Sequence, residues 1–141
     1  MNGEYTYDYA IIRVFPRVER GEAINVGVIL SCPDVEFLEA RIEIDPARLL
    51  ALDATLDLDA TRASLETIPV ICRGGPDAGP IGELPHRSRF RWLVSPRSTV
   101  VQTSPVHTGR TDDPAKTLKH LLDTMVRVNP SGPSRGQISI F

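Results

Sequence analysis

Apolar and polar residues alternate along the N-terminal part of the chain. The alternation runs from Tyr7 to Val18, resumes from Ala23 to Cys32, and is cleanest from Phe37 to Asp45. A period of two is typical of β-strands, and the β-branched and aromatic side chains in these runs favour the same structure. Gly21 lies between the first two runs and can adopt the positive φ of a tight reversal. The pattern predicts a β-hairpin followed by a third antiparallel strand with one solvent-exposed face.

Helical signals begin at the end of the third run. Asp45-Pro46 has the form of an N-cap followed by proline at the first helical position, which predicts a short helix through Leu52. A second helix is predicted from about Leu58 towards Cys72. Pro69 is expected to kink or end it, because proline removes a backbone donor and clashes with the preceding turn.

The segment after the second helix has weaker signals. Glycine and proline are frequent from Arg73 to Pro85, which predicts an irregular connector. The run from His86 to Val94 fits a strand or a helix, and we prefer a helix because its apolar residues then share one side. A short strand is predicted from Thr99 to Thr103.

The last helix has the clearest pattern. Asp113 is predicted to cap it, Pro114 occupies the first position, and Asn129-Pro130 ends it. Its apolar stripe consists of Leu118, Leu121, Leu122, Met125 and Val126. The predicted fold is α+β, with an N-terminal antiparallel β-hairpin and a third strand packed against several helices, including a long C-terminal helix. Residues 1–128 are expected to form a single domain, and residues 129–141 a flexible C-terminal tail.

Composition limits the class of protein. The chain has 141 residues, of which 41% are hydrophobic and 24% charged, as in one folded globular domain. Its two cysteines, Cys32 and Cys72, are far apart, and their spacing indicates neither a disulfide framework nor a thiolate metal site. No motif indicates a metal or a cofactor, and the sequence carries no signal of oligomeric state. Without a leader peptide or a membrane-length apolar run, we expect a cytoplasmic protein.

The charge balance argues against nucleic acid as the partner. The formal net charge is −2, so the surface as a whole does not attract a polyanion, and this balance does not exclude a local basic patch. Arginines at positions 87 to 91 alternate with Phe90 and Trp92, a combination that also occurs in proteins that stack on bases. On a helix, the same aromatic residues belong to the core and the arginines to the solvent.

The hairpin provides one candidate anion site. A two-residue loop at Arg20-Gly21 would place Arg13 opposite Val28 and bring Arg13 and Arg17 to one face of the sheet. Asn25 would then face the other way, unless the loop differs by one residue and the register shifts. Alternatively, the arginine stems cover apolar surface and their charged ends pair with acidic residues.

The densest polar stretch provides a second candidate. It contains Arg97, Ser98 and Thr99, and extends to His107. A guanidinium, several hydroxyls and an imidazole can together bind a phosphate or position a nucleophile. An ordinary polar loop has the same composition, so both interpretations stay open.

Two sequence blocks resemble an uncharacterised bacterial family, domain of unknown function 3037 (DUF3037), over about residues 7 to 127. The blocks consist of Tyr7–Val14, Pro16–Glu22, Ile24–Val28, Arg89-Phe90, Trp92-Leu93, Ser95–Thr99, Ser104–Gly109 and Asp113-Pro114. The resemblance implies no established activity. Family members are encoded beside kinase-like proteins of the HipA type, which implies a protein partner or regulator.

These observations lead to three functional hypotheses. The first is a non-catalytic interaction or accessory module, in which Ile138 to Phe141 adds a strand to the sheet of a partner such as a HipA-like kinase. The second is an enzyme or binding domain for a phosphate-bearing small molecule. In that case Arg13, Arg17 and Arg97 would clamp the anion, and His107 would act as acid or base. Nucleic-acid binding ranks third.

Overall fold

One antiparallel sheet organises the protein, and the predicted α+β class is confirmed. The computed structural model describes residues 3–128 and 138–140. Within these residues the strands are β1 (Tyr5–Val14), β2 (Ile24–Cys32), β3 (Phe37–Ile44), β4 (Val101–Thr103), β5 (His107–Thr111) and β6 (Ile138–Ile140). Their order is β4-β1-β2-β3-β6, and β5 pairs with the N-terminal half of β1, beyond the end of β4.

Five α-helices accompany the sheet in the described residues, and three of them begin at an aspartate cap. They are α1 (Pro46–Leu52), α2 (Leu58–Arg73), α3 (Gly79–Gly82), α4 (His86–Leu93) and α5 (Pro114–Met125). The side chains of Asp45, Asp57 and Asp113 each accept a hydrogen bond from a first-turn backbone N–H, which confirms the predicted caps at Asp45 and Asp113. With 12 residues, α5 is shorter than the 16-residue α2, so the C-terminal helix has ordinary length and is not long.

Both faces of the sheet are covered. On one face, α1, α2 and α4 pack over a core that includes Ile12, Ile29 and Ile42. On the other face, α5 packs through Leu118, Leu121 and Leu122 over Val28 and Leu30. The residues of β2 from Val26 to Cys32 are therefore all buried, with alternate side chains entering different cores.

A β-bulge changes the register that the hairpin pattern predicts. Ile12 pairs with Gly27 and Arg13 pairs with Asn25, so Val26 is an extra residue on β2. The prediction that Arg13 lies opposite Val28, with Asn25 on the other face, is wrong. The connection is also longer than two residues, because β1 ends at Val14 and the chain turns through a 3₁₀ segment before β2.

The fifth strand has no apolar periodicity and was not predicted; it begins at His107, in the predicted polar stretch. It forms because its backbone pairs with the first half of β1. Between β4 and β5, Ser104 replaces a ladder contact: its N–H donates to the Ile11 carbonyl, and its Oγ accepts from the Ile11 N–H at 2.8 Å. Gly109 allows the Tyr7 ring to cross the β5 backbone, because a Cβ at this position would lie 2.6 Å from the Tyr7 hydroxyl.

Helix α2 continues through its proline. The helix begins at Leu58 and ends at Arg73, close to the predicted bounds, and Pro69 lies inside it, so of the two predicted effects of proline the structure excludes termination. The predicted helix over His86–Val94 is confirmed as α4. From α4, the Arg89 guanidinium donates to the Ile71 and Cys72 carbonyls at 3.1 and 2.6 Å, where cations stabilise the negative end of the α2 dipole.

The predicted exposed face of β3 is partly covered. Its apolar residues face α2 as expected, but Glu43 on the other face is only 1% exposed. Arg127, which follows α5, donates to Glu43 through Nε and Nη2 and to Asp123 through Nη1. Ser139 of β6 also donates to the Glu43 carboxylate. A buried ion pair therefore joins α5, β3 and β6.

The C-terminal strand pairs with the chain itself. Ile138 to Ile140 lie along Ile42 to Ile44 of β3. The predicted use of this segment on a partner's sheet remains a proposal, and Phe141 lies outside the described residues. The flexible tail predicted for residues 129–141 also falls outside them, apart from 138–140. No helix in the described part of the chain is long and apolar enough to cross a membrane.

The buried ion pair leads to a stability prediction. Arg127→Ala should lower the free energy of unfolding by about 3–5 kcal/mol, because it leaves the Glu43 carboxylate buried without its cation. Lys119→Ala is the matched control, since it removes an exposed cation 3.8 Å from the same Asp123 and should cost less than about 0.5 kcal/mol. Urea unfolding measures both. Equal effects in the two variants would contradict the assignment.

Candidate functional site

Two of the predicted anion-site residues have a structural role. Arg13 donates from Nε to the Asn25 Oδ1 at 3.2 Å, and Asn25 donates from Nδ2 to the Met125 carbonyl at 3.1 Å. Met125 is the last residue of α5, so the pair satisfies a carbonyl at the end of that helix. Arg13 and Asn25 therefore lie on the α5 side of the sheet, where the Arg13 Nε and the Asn25 side-chain amide make structural hydrogen bonds.

His107 lies elsewhere on the sheet. It opens β5, pairs with Tyr9, and its ring centroid lies 5.3 Å from that of Tyr9. Tyr9 and Arg13 are four residues apart on β1, so His107 is separated from the Arg13–Asn25 pair along the strand. The structure does not bring the predicted clamp of three arginines and His107 into one pocket.

One concave surface in the described part of the chain contains two other predicted residues, Arg97 and Thr99. We call it the Trp92 groove; its volume is about 670 Å³. One wall is the first half of α2 with the loop that precedes it. The other wall is formed by Trp92 of α4 and the segment that leads into β4. The lining combines apolar residues that belong to the core or pack against it with several hydroxyl-bearing residues. It comprises Pro16, Asp53, Thr55, Leu56, Asp57, Ala60, Thr61, Ser64, Thr67, Ile68, Trp92, Arg97, Thr99, Val100 and Val101.

Arg97 fixes one wall of the groove. Its guanidinium carbon lies 4.4 Å from the centroid of the Trp92 ring, and its Nη2 donates to the Trp92 carbonyl at 2.7 Å. The Trp92 side chain remains 39% exposed, which is unusual for a residue predicted to belong to the core. Thr99 donates to the Val101 carbonyl and orders the neighbouring turn, whereas Ser98 is exposed and lies outside the lining.

Asp53 supplies fixed negative charge at the groove. Its Oδ1 accepts from both the hydroxyl and the backbone N–H of Thr55, at 2.6 and 2.9 Å. These bonds hold the pKa of Asp53 below its ordinary value, with a smaller contribution from the positive charge of Arg17. Arg17 thus lies near this end of the groove, although its Nε is paired with Glu19 at 3.1 Å.

The groove lining has a limited set of functional groups. Among the described residues, it contains no histidine, cysteine, lysine, glutamate or tyrosine. The lowered pKa makes Asp53 a weak base, and the Asp57 carboxylate already caps α2. The side chains available to a ligand are an aromatic ring, aliphatic groups, hydroxyls and two carboxylates.

Comparison with known proteins identifies the family. Residues 9–126 match the family described as "Protein of unknown function (DUF3037)". The chain belongs to the DUF3037 family. No curated protein and no solved structure matches it. The match confirms the resemblance seen in the sequence, and it leaves the function of this DUF3037 protein to be argued from its geometry.

Sequence reasoning missed a serine–histidine pair. Ser31, at the end of β2, and His86, at the start of α4, lie 2.7 Å apart between Oγ and Nε2. Ser31 is buried and also faces a cavity beside α4. The two residues are 55 positions apart, and neither belongs to a motif, so only the packing of α4 on the sheet brings them together.

The environment of His86 leads to a prediction about pH. Burial lowers the pKa of His86, as do the charges of Arg89 and Arg87, while Glu36 acts weakly in the opposite sense. As the pH falls below the ordinary histidine value of 6.5, the unfolded chain therefore binds a proton before the folded protein does. Stability should fall over this range, and His86→Gln should show a smaller decrease.

Urea unfolding of wild type and His86→Gln at about pH 7.5 and about pH 5.5 tests this prediction. The wild type should lose more free energy of unfolding than the variant between the two conditions. An equal loss would show that His86 does not carry this part of the pH dependence.

Proposed function

We propose that this DUF3037 protein is a non-catalytic binding module that holds a segment of a partner protein in the Trp92 groove. The observation that carries the proposal is the exposed Trp92 ring, held by Arg97 beside apolar residues and two carboxylates. The family resemblance implies a kinase-like partner of the HipA type, and we adopt that partner for the test.

The apolar part of the groove lining favours an apolar anchor from the partner. Of its apolar lining residues, Ile68 is buried in the core, and Leu56, Val100 and Val101 pack against that core. A volume of about 670 Å³ accommodates a few side chains. Burial of an aromatic residue at the centre of a groove is the usual origin of a binding hot spot.

The charges of the groove favour a cation next to that anchor. Asp53 and Asp57 each use Oδ1 within the described residues, and no hydrogen bond there involves either Oδ2. Arg97 is directed onto Trp92 and its carbonyl. The expected segment therefore carries a lysine or arginine beside an apolar side chain, so that its cation meets the free carboxylate oxygens.

Substitutions in the groove test the proposal with the purified HipA-type kinase as partner. Trp92→Ala should raise the dissociation constant more than tenfold, since hot-spot truncations cost about 2 kcal/mol or more. Asp53→Asn should weaken binding less and should reduce its dependence on salt. Biolayer interferometry measures both effects on the full chain, and circular dichroism checks that the variants fold.

Two controls separate the groove from other surfaces. Val128→Ala shortens an apolar side chain that is 59% exposed and lies outside the groove, so it should leave binding unchanged. Deletion of residues 131–141 tests the alternative that the C-terminal strand makes the contact. If the deletion abolishes binding and Trp92→Ala binds the partner as well as wild type does, the assignment of binding to the Trp92 groove is wrong.

A further inference from the structure

We propose that a second cavity, between α4 and the strands β1 and β2, binds a small phosphate monoester that carries a hydroxyl group. Its volume is about 420 Å³, and it shares no lining residue with the Trp92 groove. We call it the α4 cavity. Its lining includes Asp8, Ser31, Arg87, Phe90 and Arg91, which would contact the ligand. This inference does not depend on the function proposed for the groove.

The arginines of α4 divide into two classes. Arg89 is directed to the end of α2, where it donates to backbone carbonyls. Arg87 and Arg91 are one helical turn apart, and both line the α4 cavity. Among residues 3–128 and 138–140, neither of these two guanidinium groups has a hydrogen-bond or ion-pair partner. The cavity therefore has two cations whose donors are available to a ligand.

Guanidinium groups select for phosphate. Each presents several N–H donors in one plane and can donate two parallel hydrogen bonds to an oxyanion. Two of them on one helix face can share the three oxygens of a phosphate monoester. The lining carries a formal charge of +1, from Arg87, Arg91 and Asp8, which favours an anion of charge about −1.5 to −2 near neutral pH.

The inner part of the cavity supplies a further polar group. Ser31 is 2% exposed, and its hydroxyl is bonded to His86 Nε2 at 2.7 Å. A hydroxyl has one donor and two acceptor positions, so this bond leaves Ser31 with capacity for a ligand. Phe90 lines the same cavity and is buried, and hydrogen bonds are stronger in such low-dielectric surroundings than in water.

Asp8 specifies the other end of the ligand. Its Oδ1 accepts from the Thr108 hydroxyl at 2.5 Å, and as a carboxylate it accepts hydrogen bonds and repels anions. The phosphate must therefore lie at the arginines, and a hydrogen-bond donor must face Asp8. A hydroxyl group on the same small molecule meets both requirements, which is why we name a hydroxyl-bearing phosphate monoester and not a simple anion.

Titration of the ¹⁵N-labelled full chain with glycerol phosphate, inorganic phosphate and glycerol tests the proposal. Glycerol phosphate should give saturable amide shifts at Ser31 and along α4, inorganic phosphate should bind more weakly, and glycerol should not bind. Absence of saturable shifts with glycerol phosphate, or shifts confined to the Trp92 groove, would overturn the proposal. Equal affinity for inorganic phosphate would overturn the role given to Asp8.

Arginine variants inside and outside the α4 cavity distinguish a specific binding site from non-specific electrostatic attraction. Arg87→Gln and Arg91→Gln should each raise the dissociation constant of glycerol phosphate about tenfold. Arg48→Gln and Arg62→Gln remove the same charge from α1 and α2, outside the cavity lining, and should leave it unchanged. Equal weakening by all four would show non-specific attraction. Asp8→Asn should abolish the preference for glycerol phosphate over inorganic phosphate.

Discussion

The fold depends on the burial of β2 on both faces. Its side chains enter two separate cores in alternation, so the strand is stable only if helices cover both sides of the sheet. On one side α2 and α4 provide the cover, and on the other side α5 does. This requirement explains why the last helix must return across the sheet, and why Asn25 and Arg127 tie its C-terminal end to β2 and β3.

Most of the fold could be predicted from apolar spacing and capping residues. The first three strands, α1, α2 and α5 have patterns that one periodicity explains, and Asp45 and Asp113 mark helix starts because a cap needs a short acceptor side chain. β5 could not be predicted in this way. Its residues are mostly exposed and polar, and its pairing with β1 depends on backbone groups and on the space that Gly109 leaves for Tyr7.

The candidate sites were harder to predict because the bulge at Val26 decides which side chains share a face. With a regular ladder, Arg13 and Asn25 lie on opposite faces; with the bulge, they meet and serve α5. Arg97 and Thr99 were found by their polar density, whereas Ser31 and His86 were missed because neither has a local signal. Local composition indicates a polar loop, but only tertiary packing determines which polar groups remain unpaired.

Helix α4 illustrates how one short segment can serve several purposes. Phe90 and Leu93 enter the core, Trp92 faces the groove, and Arg87 and Arg91 face the cavity. A helix of eight residues is not stable alone, so tertiary contacts must hold it in place. Arg89 provides such a contact, because it bonds the end of α2 from the middle of α4. The alternating arginines of the sequence therefore differ in role: Arg89 positions the helix, and this position determines where the other two present their charge.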